Sequence, residues 1–193
     1  MEMRRANWFF AFPVTGAFVG EVPAPPTGIR LFEPEDVHLT ISFLGSVGRE
    51  RAETALTELD RYLSTSLRRP VEISLGDVEP FGGSRRSYSA LSAVLIDGRD
   101  EVTSWVSELR GVLSEAAGVR PETRRVRAHI SIARPRRRLT DEASAAGLVW
   151  ARGLDLTRVR ATLDEVALYT WTQDRRTRLF EVFSSRKVTS TLG

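Results

Sequence analysis

Residues 37–45 read Val37-His38-Leu39-Thr40-Ile41-Ser42-Phe43-Leu44-Gly45, and the central pattern returns in Ala128-His129-Ile130-Ser131-Ile132-Ala133-Arg134. Each stretch contains histidine, aliphatic, hydroxyl, aliphatic in that order. Apolar and polar residues alternate, which is the period of a β-strand with one buried face. A glycine or proline closes each stretch within a few residues. The repeat therefore predicts two related strands, and with them two related lobes.

The periodicity of the flanking sequence predicts further strands and two helices. Apolar runs or alternation predict strands over residues 7–12, 29–32, 71–75, 88–96 and, around the second repeat, 126–133, and a terminal hairpin over 163–172 and 178–184. Helical spacing of apolar residues predicts amphipathic helices over residues 49–67 and 100–117. Strands and helices are mixed rather than strictly alternating, so the predicted class is α+β with largely antiparallel sheets.

Composition excludes several classes of protein. The chain has 193 residues, 41% of them hydrophobic, and a mean hydropathy of -0.20, which is typical of a folded globular protein. No apolar run approaches the roughly 20 residues that span a bilayer, and no signal peptide is recognisable, so we expect a cytoplasmic protein without a membrane partner. The absence of cysteine excludes disulfides, thiolate metal sites and cysteine nucleophiles.

The basic side chains are almost all arginine. Net charge is only +3, but the pI is about 9.9 and Lys187 is the only lysine. The planar arginine fork suits phosphate oxygens, so an anionic or nucleic-acid ligand is indicated, although a codon bias toward arginine explains the composition equally well. The arginines cluster at 85–86, 124–127, 134–138 and 175–176, and most such clusters are solvated surface.

Arg134 is the one arginine that we single out as a substrate-binding residue, because it follows the second repeat closely. In a regular strand, residues an odd number apart point to opposite faces. Arg134 would then point away from His129. Only a bend before Pro135 would let its side chain reach the same site.

The chain has two histidines, and both lie in the repeated pattern. His38 and Thr40 share one face of their strand, as do His129 and Ser131. If the lobes face each other, two imidazoles flank a pocket that also holds two hydroxyls. One neutral imidazole could take a proton from an attacking oxygen and the opposite imidazolium could protonate a leaving oxygen, while the hydroxyls bind phosphate oxygens. This chemistry needs no metal and no cofactor.

Three other interpretations of these residues fit the sequence less well. A single histidine on a half-buried strand is more often structural than catalytic, but two histidines in matching patterns favour catalysis. A metal site has too few ligands, with Asp36 as the one carboxylate that could contribute. A serine nucleophile lacks the Gly-x-Ser-x-Gly turn.

Platforms for a nucleobase could come from three aromatic residues, which are more often part of a core: Phe81, Tyr88 and Trp171.

The two histidine stretches resemble the signature strands of the two-histidine (2H) phosphoesterases. Within that superfamily, the branch that the chain most resembles is that of the bacterial RNA 2′,3′-cyclic phosphodiesterases, also known as 2′-5′ RNA ligases. Two further segments resemble that branch: residues 8–13 are similar to its opening strand, and residues 168–169 with 180–182 to its closing hairpin. The resemblance covers most of the chain.

The resemblance implies a single two-lobed domain over residues 1–193, with helices on the outer faces of its sheets and the active-site cleft between pseudo-symmetric lobes. It implies that His38 is the acid, that His129 is the base, and that Thr40 and Ser131 bind the phosphate. Ser131 stands where threonine is commoner in the family, which keeps the hydroxyl.

The implied reaction is hydrolysis of the 2′,3′-cyclic phosphate end of RNA, or of a small cyclic nucleotide, to a 2′-phosphomonoester by a monomer. Two alternatives stay open. The same site could join RNA ends through a 2′-5′ linkage, or the chain could be a binding module for RNA or nucleotides that does not turn them over.

Overall fold

Two antiparallel sheets form the centre of the molecule in a computed structural model that describes residues 6–66, 68–83, 87–136 and 139–188. The strands are β1 (Trp8–Pro13), β2 (Ile29–Leu31), β3 (His38–Gly45), β4 (Val71–Phe81), β5 (Ala90–Leu95), β6 (His129–Pro135), β7 (Arg160–Leu163), β8 (Glu165–Trp171) and β9 (Phe180–Lys187). The helices are α1 (Arg49–Thr65), α2 (Arg99–Ala116) and α3 (Asp141–Arg152), with short 3-10 helices at Gly16–Glu21 and Pro34–Asp36. Four arginines of the predicted clusters, Arg85, Arg86, Arg137 and Arg138, lie outside the described residues.

The two sheets repeat one arrangement. The first has the strand order β3-β1-β8-β9, and the second has β2-β6-β5-β4-β7, with every neighbouring pair antiparallel. We call β3 and β6 the motif strands. Counted from each of them, the next three strands occupy equivalent positions in the two sheets, and β2 is an additional strand beside β6. The motif strands also contact each other, so the lobes meet along them. The predicted α+β class with two related antiparallel lobes is confirmed.

The helices cover the sheets and close a largely continuous core. Helices α1 and α2 pack on each other, and α2 also packs on β3. The largest buried side chain of α2 is Trp105, whose ring lies 4.7 Å from that of Phe12 on β1. Each of the two helices buries most of the residues predicted from the 3.6-residue period, and the exceptions, Leu63 and Val112, are half-buried. Among the described residues, no helix combines the length and the apolar character that crossing a bilayer requires.

Helix α3 and strand β7 were not predicted from the sequence. The helix begins after Thr140, whose hydroxyl accepts a hydrogen bond from the Ala143 amide. Its fully buried positions are only Gly147 and Ala151, so it has no broad apolar stripe for a periodicity analysis to detect. Strand β6 starts at His129, later than the predicted Val126.

The two 3-10 helices pack together where the chain approaches β3. Gly16 lies so close to the second 3-10 helix that a methyl group there would overlap the carbonyl oxygen of Pro34. Gly20, on the same 3-10 helix as Gly16, has open space around the equivalent position. The contact at Gly16 therefore helps to position Asp36, which lies two residues before the start of the first motif strand.

We expect Gly16→Ala to lower the free energy of unfolding by about 1–3 kcal/mol, because backbone must move to admit the added methyl group. Gly20→Ala is the matched control and should stay within about 0.5 kcal/mol of wild type. Chemical denaturation of the three proteins makes the comparison. Equal stability of the two variants would show that the contact does not constrain the chain.

Candidate active site

Both histidines are held in the same way by the backbone two residues earlier. The Nδ1 atom of His38 lies 2.7 Å from the carbonyl oxygen of Asp36, and Nδ1 of His129 lies 2.6 Å from the carbonyl oxygen of Arg127. A carbonyl oxygen can only accept, so each Nδ1 carries the hydrogen and donates it. The nitrogen left for chemistry is therefore Nε2 in both rings.

Each motif strand contains an extra residue, relative to its partner strand, at the fourth position of the repeated pattern, and β3 has a second one at Leu44. On β3, Ser42 pairs with Phe10 and Thr40 with Ala11, which leaves Ile41 without an opposite residue. On β6, Ala133 pairs with Leu91 and Ser131 with Ser92, which leaves Ile132. Such a β-bulge reverses the alternation of side chains beyond it.

The bulges decide which side chains share the face of the histidines. On β3 this face carries His38, Thr40 and Phe43, and Phe43 is 60% exposed although it is a large apolar residue. On β6 the bulge at Ile132 turns Arg134 to the face of His129 and Ser131. The bend that lets Arg134 face the same side as His129 is therefore present, as the bulge at Ile132.

His38 lies in an aromatic pocket of the first lobe. Its ring centroid is 4.9 Å from that of Phe9, 5.4 Å from Tyr169 and 5.2 Å from Phe180, and the residue is only 8% exposed. Burial disfavours the charged imidazolium and lowers the pKa of His38 to about 4, a larger effect than the opposing hydrogen bond to Asp36 and the smaller influence of His129. His38 is thus neutral at pH 7. The contact between β3 and β6 brings the strands of the two histidines together.

His129 lies in a more open setting. Its ring stacks on Phe81 with centroids 4.0 Å apart, and the guanidinium of Arg127 lies 4.3 Å from the centroid of the same phenylalanine. Burial is the main cause that lowers the pKa of His129, and the positive charge of Arg127 adds to it. Arg127 is in turn paired with Glu79 at 2.8 Å.

A cavity of about 830 Å³, the cleft cavity, opens between the lobes. Its lining includes Thr40 and Phe43 from β3, His129 from β6, and the guanidinium-bearing residues Arg110 and Arg124. His38 and Ser131 do not line it directly. The cavity therefore joins a predicted phosphate ligand of one lobe to a predicted catalytic histidine of the other.

Ser131 has a hydroxyl partner on the neighbouring strand of its sheet. Its Oγ lies 3.0 Å from Oγ of Ser92, a fully buried residue on the neighbouring strand β5. If the buried hydroxyl of Ser92 donates, the hydroxyl hydrogen of Ser131 is left for a phosphate oxygen. Sequence reasoning missed Ser92, since only the pairing of β5 with β6 brings it to Ser131.

Asp36, the carboxylate considered for a metal site, is engaged elsewhere. The residue is 0% exposed, and its carboxylate accepts hydrogen bonds from the amides of Leu179 at 2.9 Å and Phe180 at 3.0 Å. Within the described residues no group of three histidine, cysteine, aspartate or glutamate side chains is placed to hold a metal ion. Asp36 instead connects the start of β9 to the backbone that orients His38.

The three aromatic residues considered as base platforms each have a contact with another residue of the protein. Phe81 is buried against His129, and the hydroxyl of buried Tyr88 donates to the carbonyl of Ser144. Trp171 lies under the guanidinium of Arg175, 3.9 Å from its ring centroid. Phe43 is the exposed aromatic ring of the cleft, and its strand position alone gave no sign of that exposure.

Comparison with solved structures identifies the fold. Over 96% of this chain and 99% of the other, it matches E. coli LigT complexed with 3′-AMP with a TM-score of 0.69 at 18% identity. A structure described as a phosphoesterase matches over the same shares with a TM-score of 0.69 at 19% identity, and Kluyveromyces marxianus Usb1 matches over 95% and 97% with a TM-score of 0.57 at 11% identity. No family model and no curated protein sequence matches the chain. The chain has the fold of the 2H phosphoesterases, as its two histidine stretches suggested.

The burial of His38 makes stability depend on pH. The unfolded histidine titrates near 6.5 but the folded one near 4, so acid protonates the unfolded state first. The stabilising contribution is complete above pH 6.5 and is lost as pH falls toward 4. Between pH 7 and pH 4.5 we expect wild type to lose about 2 kcal/mol more unfolding free energy than His38→Asn, measured by urea denaturation at both pH values. Equal losses in the two proteins would contradict the buried, neutral state of His38.

Proposed function

We propose that this protein is a metal-independent phosphoesterase that opens the 2′,3′-cyclic phosphate end of RNA or of a nucleotide. The observation that carries the proposal is that two contacting strands each present an imidazole with the same backbone support and with an Nε2 that has no partner among the described residues, beside a cavity that Thr40 and His129 line together. The fold shared with LigT supports it, and LigT has been crystallised with 3′-AMP, ATP and NADP⁺, all of which are phosphate-bearing nucleotides.

The proposed reaction uses one histidine on each side of the phosphorus. Nε2 of His129 takes a proton from water as the water oxygen bonds to phosphorus. The bond from phosphorus to the ribose 3′ oxygen breaks, and Nε2 of protonated His38 gives a proton to that oxygen. The product is a 2′-phosphomonoester, and the proton taken by His129 returns to solvent before the next cycle.

The proposed acid must gain its proton when substrate binds, because His38 is neutral in the free protein. A phosphate anion placed beside a buried imidazole favours the imidazolium and raises its pKa. The apolar walls of Phe9, Tyr169 and Phe180 strengthen this effect, since charge interactions are less screened there. Substrate charge thus converts a neutral ring into a proton donor.

The hydroxyls and the exposed ring have complementary roles in this proposal. Thr40 and Ser131 donate hydrogen bonds to the non-bridging phosphate oxygens, and Arg134 binds substrate at the far end of β6. Phe43 stacks on the nucleobase, since its ring is exposed on the histidine face and lines the cleft cavity.

The histidines are tested by replacement with asparagine, whose amide can take the place of the Nδ1 donor while Nε2 is lost. His38→Asn and His129→Asn should each slow hydrolysis of a nucleoside 2′,3′-cyclic phosphate at least about a hundredfold, with chelator present throughout. On bis(4-nitrophenyl) phosphate, whose leaving group needs no proton, His38→Asn should keep most of the wild-type rate and His129→Asn should not.

The outcomes of that experiment separate the alternatives. Rescue of His129→Asn instead of His38→Asn would reverse the acid and base roles. Wild-type activity in both variants would falsify the catalytic pair, and tight nucleotide binding without any turnover by the wild-type protein would favour a binding module. Product analysis decides the rest: a 2′-phosphomonoester supports hydrolysis as proposed, whereas joined RNA halves would show 2′-5′ ligation.

Phe43 is tested by removing its ring. Phe43→Ala should raise KM for a purine nucleoside 2′,3′-cyclic phosphate about tenfold, because a base–aromatic stack contributes about 1–3 kcal/mol. Phe43→Tyr should stay near wild type. Val149→Ala is the control, since Val149 is an exposed apolar residue of α3 outside the cleft cavity. An unchanged KM in Phe43→Ala would remove the ring from the substrate site.

A further inference from the structure

A second cavity, of about 950 Å³, lies at the far end of β6 and is lined mainly by arginines. We call it the arginine cavity. Its side chains come from three elements: Arg30 on β2, Arg134 and Arg136 at the end of β6, and Arg175 and Arg176 in the β8–β9 loop, with Ser89 and Pro135 completing the lining. The proposed phosphoester chemistry uses Arg134 alone among these arginines.

The positive charge of this cavity is poorly balanced. Arg30, Arg134 and Arg175 line the same cavity, so their positive charges converge. Burial lowers the pKa of Arg134, and the charges of Arg175 and Arg30 lower it further. The carboxylate that opposes them is Asp36, whose oxygens already accept hydrogen bonds from two backbone amides. Like charges that converge in this way are relieved by an anion between them.

The hydrogen bonds of the cluster leave donors without acceptors. Arg30 donates to the carbonyl oxygens of Arg175 and Thr177 and so holds the loop in place. The guanidinium of Arg134 has no hydrogen-bond partner in the part of the chain that the structure describes. Arg175 stacks on Trp171, and its buried Nε also finds no partner among the described residues. A buried donor such as Nε of Arg175 is unfavourable without an acceptor, and the guanidinium of Arg134 is half-buried beside it, so both side chains are prepared for an anionic acceptor.

The cavity also lies at a useful distance from the proposed reaction. The bulge at Ile132 puts Arg134 on the same face as Ser131, three residues further along the strand. At about 3.3 Å for each strand residue, the two α-carbons are about 10 Å apart or slightly less. When one phosphate of a nucleic-acid strand lies at Ser131, the long side chain of Arg134 can therefore reach the neighbouring phosphate of the same strand.

We propose that the arginine cavity binds the phosphodiester group that joins the terminal nucleoside of the substrate to the preceding one, with Arg134 and Arg175 as its ligands. The inference rests on the proposed function and adds to it that the substrate is an RNA strand rather than a free mononucleotide. The planar forks of the two arginines match the two non-bridging oxygens of a phosphodiester.

The experiment compares two dinucleotides with a 2′,3′-cyclic phosphate end and the same bases. One has a natural phosphodiester between the nucleosides, and the other has an uncharged methylphosphonate. Wild type should show a kcat/KM at least about tenfold higher for the charged dinucleotide, the loss expected when a charge-assisted hydrogen bond is removed. Arg175→Gln should abolish that preference and leave kcat/KM for the mononucleoside 2′,3′-cyclic phosphate unchanged.

Arg61→Gln is the matched control, because it removes one arginine charge on the exposed side of α1, where Arg61 pairs with Glu58. It should keep the preference for the charged dinucleotide. Thermal unfolding of each variant checks that the β8–β9 loop and the fold are intact.

The possible results distinguish this inference from the proposed function. Hydrolysis of all three substrates without preference for the charged dinucleotide would overturn the arginine cavity as a phosphate site and leave the phosphoesterase intact. If no substrate is hydrolysed, calorimetric binding of the two dinucleotides to wild type decides: tighter binding of the charged one, lost in Arg175→Gln, supports the site, and equal binding overturns it.

Discussion

The extra residue in each motif strand is the constraint on which the cleft depends. A regular strand would present residues one, three and five of the repeated pattern, whereas the bulge at position four presents one, three and six. Positions one and three are equivalent in the two lobes, a histidine and a hydroxyl. Position six differs, with Phe43 in one lobe and Arg134 in the other. A symmetric backbone thus presents one apolar ring and one cation, which suits a ligand with a flat base and a charged backbone.

The two imidazoles share their backbone support but not their surroundings. His38 is enclosed by aromatic rings of its own lobe, whereas His129 has one stacked ring and a nearby guanidinium. Desolvation acts on both, but the shift is large only for His38. The two side chains therefore differ in proton affinity in the free protein, where His38 holds a proton less well. The proposed role of His38 as the acid consequently depends on the rise in its pKa when a phosphate anion binds beside it.

Local periodicity accounts for the part of the molecule that the sequence predicts. The motif strands and the amphipathic helices α1 and α2 have clear periods, and their bounds agree with the structure within a few residues. Helix α3 lacks an apolar stripe, so it was missed. A bulge is defined by the pairing with the partner strand. The sequences of β3 and β6 alone therefore do not show on which face of the sheet Phe43 and Arg134 lie.

Long-range contacts account for what the sequence did not predict in the candidate site. Both histidines and the hydroxyl of Thr40 were placed in the correct strands because each lies inside its own periodic pattern. Ser92 reaches Ser131 through strand pairing, and the convergence of Arg30, Arg134 and Arg175 joins three separate elements. No pattern within a short window contains that information.

The carboxylate of Asp36 connects positions that are 143 residues apart. Closing a loop of that length costs more entropy than closing a hairpin, so we expect this contact to form after the local hairpins. Both motif strands also precede β9 along the chain and leave the ribosome before it. The aromatic pocket around His38 therefore stays incomplete until the segment that contains Phe180 has been synthesised.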